Sequence, residues 1–282
     1  MALVSVKQAL KDAQAGGYAL ALFDTFDMPA TDGIFQAFEE KRAHAFIGLY
    51  GGFFEQPNAD ANVAYIREAA ASVKVPVSLM LDHGASFEQC IRAISLGFTD
   101  VMFDGSKLPL EENITQTKLV VRAARAVGVA VEAELGHVGS GQEYQSFGAK
   151  RMGFTDAATV ERFATETDVD FLAVAIGTAH GVYQGEPHLD LELLDAIRRR
   201  VEIPLVMHGG SGLSDVQFRS AVEHGIAKIN VATELFMTSA KRIVGAARDK
   251  DLSYFEIARL ASATFRERCG YYIDLFGEAD RV

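Results

Sequence analysis

The sequence is short of cysteine, of positive charge and of long apolar runs, and each shortage removes a class of protein. Two cysteines, Cys90 and Cys269, stand far apart in helix-like stretches with no CxxC spacing. They argue against a disulfide framework or a cysteine metal site and read as buried free thiols. No run of 18 apolar residues occurs, and the start, MALVSVKQALKDAQAGG, lacks a basic segment followed by an apolar one. The expectation is a soluble, cytoplasmic protein with no membrane partner. Lys and Arg number 27 against 38 Asp and Glu, giving a formal charge of −11 with no basic run. A nucleic-acid surface is therefore not expected, and an anionic substrate would need local positive charge from a metal or from backbone N–H groups. Linkers and low-complexity tracts are also missing, so residues 1–282 are read as one domain.

What is present is a rhythm. Short β-rich runs recur as YALALFD (18–24), HAFIGLY (44–50), VPVSLMLDH (75–83), DVMFDGS (100–106), VAVEAELGH (129–137), FLAVAIGTAHG (171–181), IPLVMHGGSG (203–212) and IAKINVATE (226–234). Helical patterns lie between them, among them SFEQCIRAISLG, TDAATVERFATET and DLELLDAIRRRV, several opened by Ser, Thr or Asp as N-caps. Eight strand–helix units in a chain of this length predict an α/β fold, the (β/α)8 TIM barrel. The longest break in the pattern, GHVGSGQEYQSFGAKRMGF (136–154), is read as a functional loop. From Leu252 the chain reads as a C-terminal helical tail that covers the barrel or a neighbouring subunit.

In such a barrel the chemistry collects where strands end. The third run closes on Asp82 and His83, which is awkward for a regular strand because neighbouring side chains point to opposite faces. The expected resolution is that the chain is already turning there, so that both face the mouth. His180 and His208 close two further runs. Three imidazoles meeting at one point, with no fourth protein ligand evident, are the composition of a catalytic zinc site with an open position. A single strand-end histidine is more often a structural or incidental residue, and His44, His137, His188 and His224 are read that way. Asp104 and Glu134 either contact the metal or orient its ligands. Glu132 is expected deeper, in the polar barrel interior. Asp82, beside a cation that favours its ionised form, is the candidate general base, or else a plain partner of the ligands. Gly181, Gly209, Gly210 and Gly212, with Ser211, Asn230 and Thr233, follow the last three strands, where these barrels form phosphate cradles.

Taken in order, LDHG, DGS, EAELG, AIGTAHG, HGGSG and KINVATEL resemble the class II, metal-dependent ketose-bisphosphate aldolases over about residues 1 to 240, the tagatose-bisphosphate branch more than the fructose-bisphosphate branch. The resemblance implies a reversible carbon–carbon lyase that gives dihydroxyacetone phosphate and an aldehyde such as glyceraldehyde 3-phosphate. It implies Zn2+ on His83, His180 and His208, with Asp104 and Glu134 at an alternative metal position or beside it, and room for a second divalent or monovalent cation. Asp82 would exchange a proton with the substrate's C4 hydroxyl. Gly181, Gly209, Gly210, Ser211, Asn230, Val231, Ala232 and Thr233 would hold the phosphorylated donor, and Glu143 is the nearest match to the acid that the family carries in the loop after EAELG. A homodimer or homotetramer is also implied. The bare chemistry agrees: breaking a C–C bond next to a ketone leaves an enediolate, which Zn2+ stabilises as a Lewis acid.

Three positions depart from the family pattern. Asp24 replaces the usual asparagine, Gln184 stands where fructose-type members often carry a phosphate-facing lysine, and Lys107 stands where histidine is common. The added charge of Asp24 leads to the expectation of a less anionic or polyol-like substrate. The alternatives are an aldolase of this kind acting on a different or less phosphorylated ketose, a lysine-dependent aldolase using Lys228, a metal-dependent barrel hydrolase, and a non-catalytic partner subunit.

Overall fold

The computed structural model describes residues 3–143, 150–249 and 251–282, with the side chains of Glu143 and Asp249 outside the description. Ten strands occur among the described residues: β1 (Leu20–Asp24), β2 (Ala45–Tyr50), β3 (Val77–Gly84), β4 (Asp100–Phe103), β5 (Ala130–Leu135), β6 (Gly139–Ser140), β7 (Phe171–Val174), β8 (Ala179–His180), β9 (Leu205–Met207) and β10 (Ile226–Val231). Eight of them, all parallel, close into a barrel in the order β1-β10-β9-β7-β5-β4-β3-β2. The expected (β/α)8 fold is present. The remaining two, β6 and β8, form a small parallel sheet of their own.

Period-two alternation explains how one chain fills two cores. In β1, Leu20 and Leu22 join an inner cluster with Phe46, Met80, Met102, Phe171 and Val206, while Ala21 and Phe23 join the outer cluster under the helices. The same parity turns Asp24, Asp82, Glu132, Glu134, Lys228 and Asn230 toward the barrel axis. It turns Val231 outward, into the core beneath the helices.

Helices α1 (Lys7–Gly16), α2 (Met28–Lys41), α3 (Gly51–Phe54), α4 (Ala59–Ser72), α5 (Phe87–Ser95), α6 (Leu110–Arg125), α7 (Ala157–Thr167), α8 (Leu191–Arg198), α9 (Asp215–Glu223), α10 (Thr233–Asp249) and α11 (Tyr254–Leu275) complete the fold. Ser86, Asp156 and Asp190 cap α5, α7 and α8 by accepting from backbone N–H groups, as their positions predict. The sequence reading has no counterpart for α1, which precedes the first strand; its Leu10 and Ala13, with Val6, pack against the inner cluster and close the bottom of the barrel. The tail covers the barrel itself. Phe276 accepts from Ala19 N–H at 3.1 Å, and the buried Glu278 accepts from Ala21 N–H at 2.9 Å. Among the described residues no helix is long and apolar enough to cross a membrane, and both cysteines are free and buried.

α11 lies close on α2 because Gly33 has no side chain: a Cβ there would stand 2.3 Å from Ser262 O and 2.8 Å from Phe265 Cβ. Gly33→Ala therefore destabilises the fold by about 1–3 kcal/mol, the usual cost of overpacking, measured by urea unfolding with an unchanged denaturant slope.

Candidate active site

Asp82 and His83 both reach the barrel mouth, but not because the strand has ended. β3 stays paired with β2 through Asp82 and with β4 at Gly84, while the register to β4 shifts between Leu81 and Gly84. This is a β-bulge, and His83 sits in it with φ of 51°, left-handed backbone that a non-glycine residue seldom adopts. Parity alone would send His83 outward beside an inward Asp82. The bulge re-aims it.

His180 reaches the same point by another route. Its barrel strand stops at Val174, and the histidine lies on β8, paired with Ser140 of β6. The single long strand expected over 171–181 is thus two strands with a turn between them. His208 follows β9 directly and is buried.

The three rings are 4.5 to 6.0 Å apart between centroids. One nitrogen of each is occupied: His83 Nδ1 with Asp104 Oδ2 at 2.9 Å, His180 Nδ1 with Val138 O at 3.2 Å, and His208 Nε2 with Glu132 Oε1 at 2.6 Å. Each of those partners accepts, so each ring donates there, and its other nitrogen, which carries a lone pair whenever the ring is neutral, is the one left for a ligand. His83 Nε2 and His180 Nε2 are buried with no protein partner, and His208 Nδ1 faces Asn230 Nδ2 at 3.3 Å. The three histidines can offer one nitrogen each, all within 4.8 Å of one another. Two partnerless ring nitrogens and a third met only by Asn230, on rings whose opposite nitrogens are tied down, fit a metal ion.

The carboxylates divide by depth. Asp104 and Glu134 form a second candidate group with His83. Burial opposes ionisation of Asp104, but its hydrogen bond to His83 holds it well below the usual carboxylate range. Burial and neighbouring Asp104 push Glu134 up to about 8. Glu132 lies deeper, as expected, where it accepts from His208 and, at 2.7 Å, from Lys228 Nζ. Lys228 is fully buried between the Phe46 and Phe171 rings and does not line the cavity, so the lysine-dependent reading fails for want of access.

Burial works against an ionised Asp82 too, yet His83, His208 and Lys228 together hold its carboxyl below the ordinary value. Asn230 Nδ2 donates to Asp82 Oδ1 at 2.8 Å. Asp24 is its counterpart. Burial, together with the charge of Asp82 and a hydrogen bond to it, holds the Asp24 carboxyl far above the carboxylate range. That direction runs against the expectation that Asp24 brings negative charge to the pocket.

These groups open into a cavity of ≈ 800 Å3 at the C-terminal ends of the strands. One side is lined by Gly181, Gly209, Gly210, Ser211, Asn230, Ala232 and Thr233, the set expected to cradle a phosphate. Gly209 has φ of 73° and a Cβ would meet Ala179 O at 2.5 Å; Gly181 has φ of 83° and no neighbour within 4 Å of an added Cβ. Ser211 Oγ accepts from Glu234 N–H at 3.1 Å, tying the cradle to the first turn of α10. Helix N–H groups at such an end suit a phosphate.

Not every expected residue is there. Val231 is buried outside the barrel wall, and Gln184 is exposed at the turn after β8, where its N–H donates to Gly141 O at 2.9 Å; neither lines the cavity. Lys107 does line it, and Glu143's side chain lies outside the described residues. His44 and His224 pair with Ser78 and Asp195 away from the cavity, in line with their structural reading. His137 pairs with Ser106 Oγ at 2.9 Å and belongs to neither candidate metal group, but it does line the cavity. Tyr50, Phe53 and Phe236 also form part of the wall and were missed. Tyr50 and His137 both close β-rich runs, which was the available signal.

A barrel with this histidine cluster and glycine cradle matches, over residues 4–281, the family model of class-II fructose-bisphosphate aldolase. The chain belongs to that family and is an aldolase, a carbon–carbon lyase. It is 41% identical over 249 residues to the 6-phospho-5-dehydro-2-deoxy-D-gluconate aldolase of Halalkalibacterium halodurans, covering 86% of this chain and 84% of that one. Against the fructose-bisphosphate aldolase of Staphylococcus aureus the identity is 39% over 246 residues, covering 86% and 85%. Among solved structures, the YdjI aldolase of Escherichia coli K12 superposes with a TM-score of 0.89 at 33% identity, covering 99% of both chains.

Proposed function

We propose that the chain is a zinc-dependent aldolase that reversibly cleaves a phosphorylated ketose of the tagatose or fructose type to dihydroxyacetone phosphate and an aldehyde. The observation that carries this reading is the set of three imidazoles, each with one nitrogen tied down, that can offer one nitrogen apiece within 4.8 Å of one another. His83, His180 and His208 would hold Zn2+, with Asp104 and Glu134 beside His83 as an alternative metal position. When bound, the metal supplies Lewis-acid stabilisation of the negative charge that develops at the substrate's carbonyl.

The remaining steps belong to the protein. The ionised Asp82 takes the proton of the C4 hydroxyl, the C3–C4 bond breaks, and its electron pair moves toward the C2 carbonyl. Asn230 holds Asp82 in place by a hydrogen bond, and the buried Asp24 carboxyl lies against it. A loop acid then protonates C3, and Glu143 is the candidate. The substrate phosphate sits in the cradle of Gly181, Gly209, Gly210, Ser211, Ala232 and Thr233, where peptide N–H groups supply the positive field that the acidic chain otherwise lacks. Both named relatives are aldolases of phosphorylated compounds, which supports a phosphorylated substrate.

The test is coupled detection of dihydroxyacetone phosphate released from ketose phosphates. Release is expected to stop with a chelator and to return with zinc; release indifferent to chelation would overturn the reading.

A further inference from the structure

The cavity has one end built for an anion and another built against one. From His83 a continuous aromatic shelf runs outward. Tyr50 lies edge-on to the His83 ring at 6.1 Å between centroids, Phe53 contacts Tyr50 at 5.5 Å, and Phe26 contacts both Phe53 and Phe236 at 5.2 Å. Tyr50 is directly paired with Asp82 across β2 and β3, so the shelf begins beside the candidate base. Tyr50 and Phe26 keep 42% and 41% of their surface exposed, which leaves ring area for a ligand.

The distribution of charge points the same way. Among the described residues that line the cavity, Lys107 is the sole lysine or arginine, and it follows β4, two strands around the barrel from Tyr50. Residues 144–149, YQSFGA, contain neither. Aromatic faces carry the negative lobe of the ring quadrupole, which attracts polarised C–H groups and repels phosphate oxygens. A dianion laid on this shelf would lose hydration without gaining donors.

Building on the aldolase reading above, we propose that the cavity accepts a ketose with a single phosphate, held in the glycine cradle, and that its aldehyde half is uncharged and packs its carbon face on Tyr50, Phe53 and Phe236, which Phe26 backs. Among the described residues on this side, no lysine or arginine lines the cavity to seat the second phosphate of a ketose bisphosphate.

The test runs in the direction of aldol addition with zinc-loaded protein and dihydroxyacetone phosphate, comparing glyceraldehyde with glyceraldehyde 3-phosphate and with an aldehyde that carries a carboxylate. Solvent deuterium exchange into C3 of dihydroxyacetone phosphate is followed alongside, because it requires no acceptor. The expected result is a kcat/KM at least tenfold higher for glyceraldehyde than for either charged aldehyde. In Phe53→Arg that ratio is expected to move at least tenfold toward the phosphorylated acceptor. A wild-type preference for a charged aldehyde, or exchange without addition to glyceraldehyde, would overturn the inference while leaving the aldolase reading intact. Absence of both exchange and addition would instead contradict the aldolase reading and remove the basis of this one.

Discussion

Asp82→Asn is expected to lower kcat for ketose cleavage by about 10²- to 10⁴-fold, the usual contribution of a positioned general base, while zinc content stays the same. The reason lies in where Asp82 sits. His83 and Lys228 hold its carboxyl below the ordinary value despite full burial, which suits a group that has to accept a proton. An amide in its place keeps the shape and an acceptor oxygen for Asn230 but has no basic site. Because Asp82 is absent from both candidate metal groups, metal stoichiometry separates loss of the base from loss of the centre. A variant with wild-type turnover would remove Asp82 from the chemistry.

The second large effect concerns the metal. His180→Ala removes a ring whose other nitrogen is held only by the Val138 carbonyl, so it leaves no buried ion unpaired. It should abolish tight zinc binding and reduce turnover by at least about 10³-fold, on the order of what loss of a Lewis acid costs. Zinc binding should also depend on pH with a definite sign. In the metal-free protein burial favours neutral imidazoles, and His180 is lowered to about 3 and His208 well below its ordinary value. His83 is the exception: burial is outweighed by Asp82, Asp104 and Glu134, which hold it up at about 10. A proton on His83 therefore competes with the metal at neutral pH. Apparent affinity should rise by about tenfold per pH unit through the neutral range, with close to one proton released per zinc bound. Competition with a chromophoric chelator at several pH values measures the first, and calorimetry in buffers of different ionisation enthalpy measures the second. An affinity that is flat with pH would place the metal away from His83.

Much of this site is readable before any coordinates because a barrel strand has only two faces. Once the β-rich runs are set in place, parity alone turns Asp24, Asp82, Glu132, Glu134, Lys228 and Asn230 inward. The same rule sends the Val231 side chain outward, between Asn230 and Ala232, which line the cavity. Other features depend on long-range geometry. The bulge at His83 leaves no local mark beyond the glycine after it, and the pairing of β6 with β8 joins segments about 40 residues apart. The upward shift of the Asp24 carboxyl follows from its burial against Asp82, 58 positions along the chain, which no composition reveals. The aromatic shelf draws on three different strand–helix units, and each of its members reads singly as an ordinary core residue.

The central claim is that a metal held by three histidines, together with Asp82 and the glycine cradle, makes dihydroxyacetone phosphate reactive at C3. Following that compound by proton NMR in D2O with the zinc-loaded protein tests it without any assumption about the aldehyde. The account predicts stereospecific loss of one C3 proton signal, halted by chelation and restored by zinc. Retention of both C3 protons by protein that demonstrably holds zinc would contradict it.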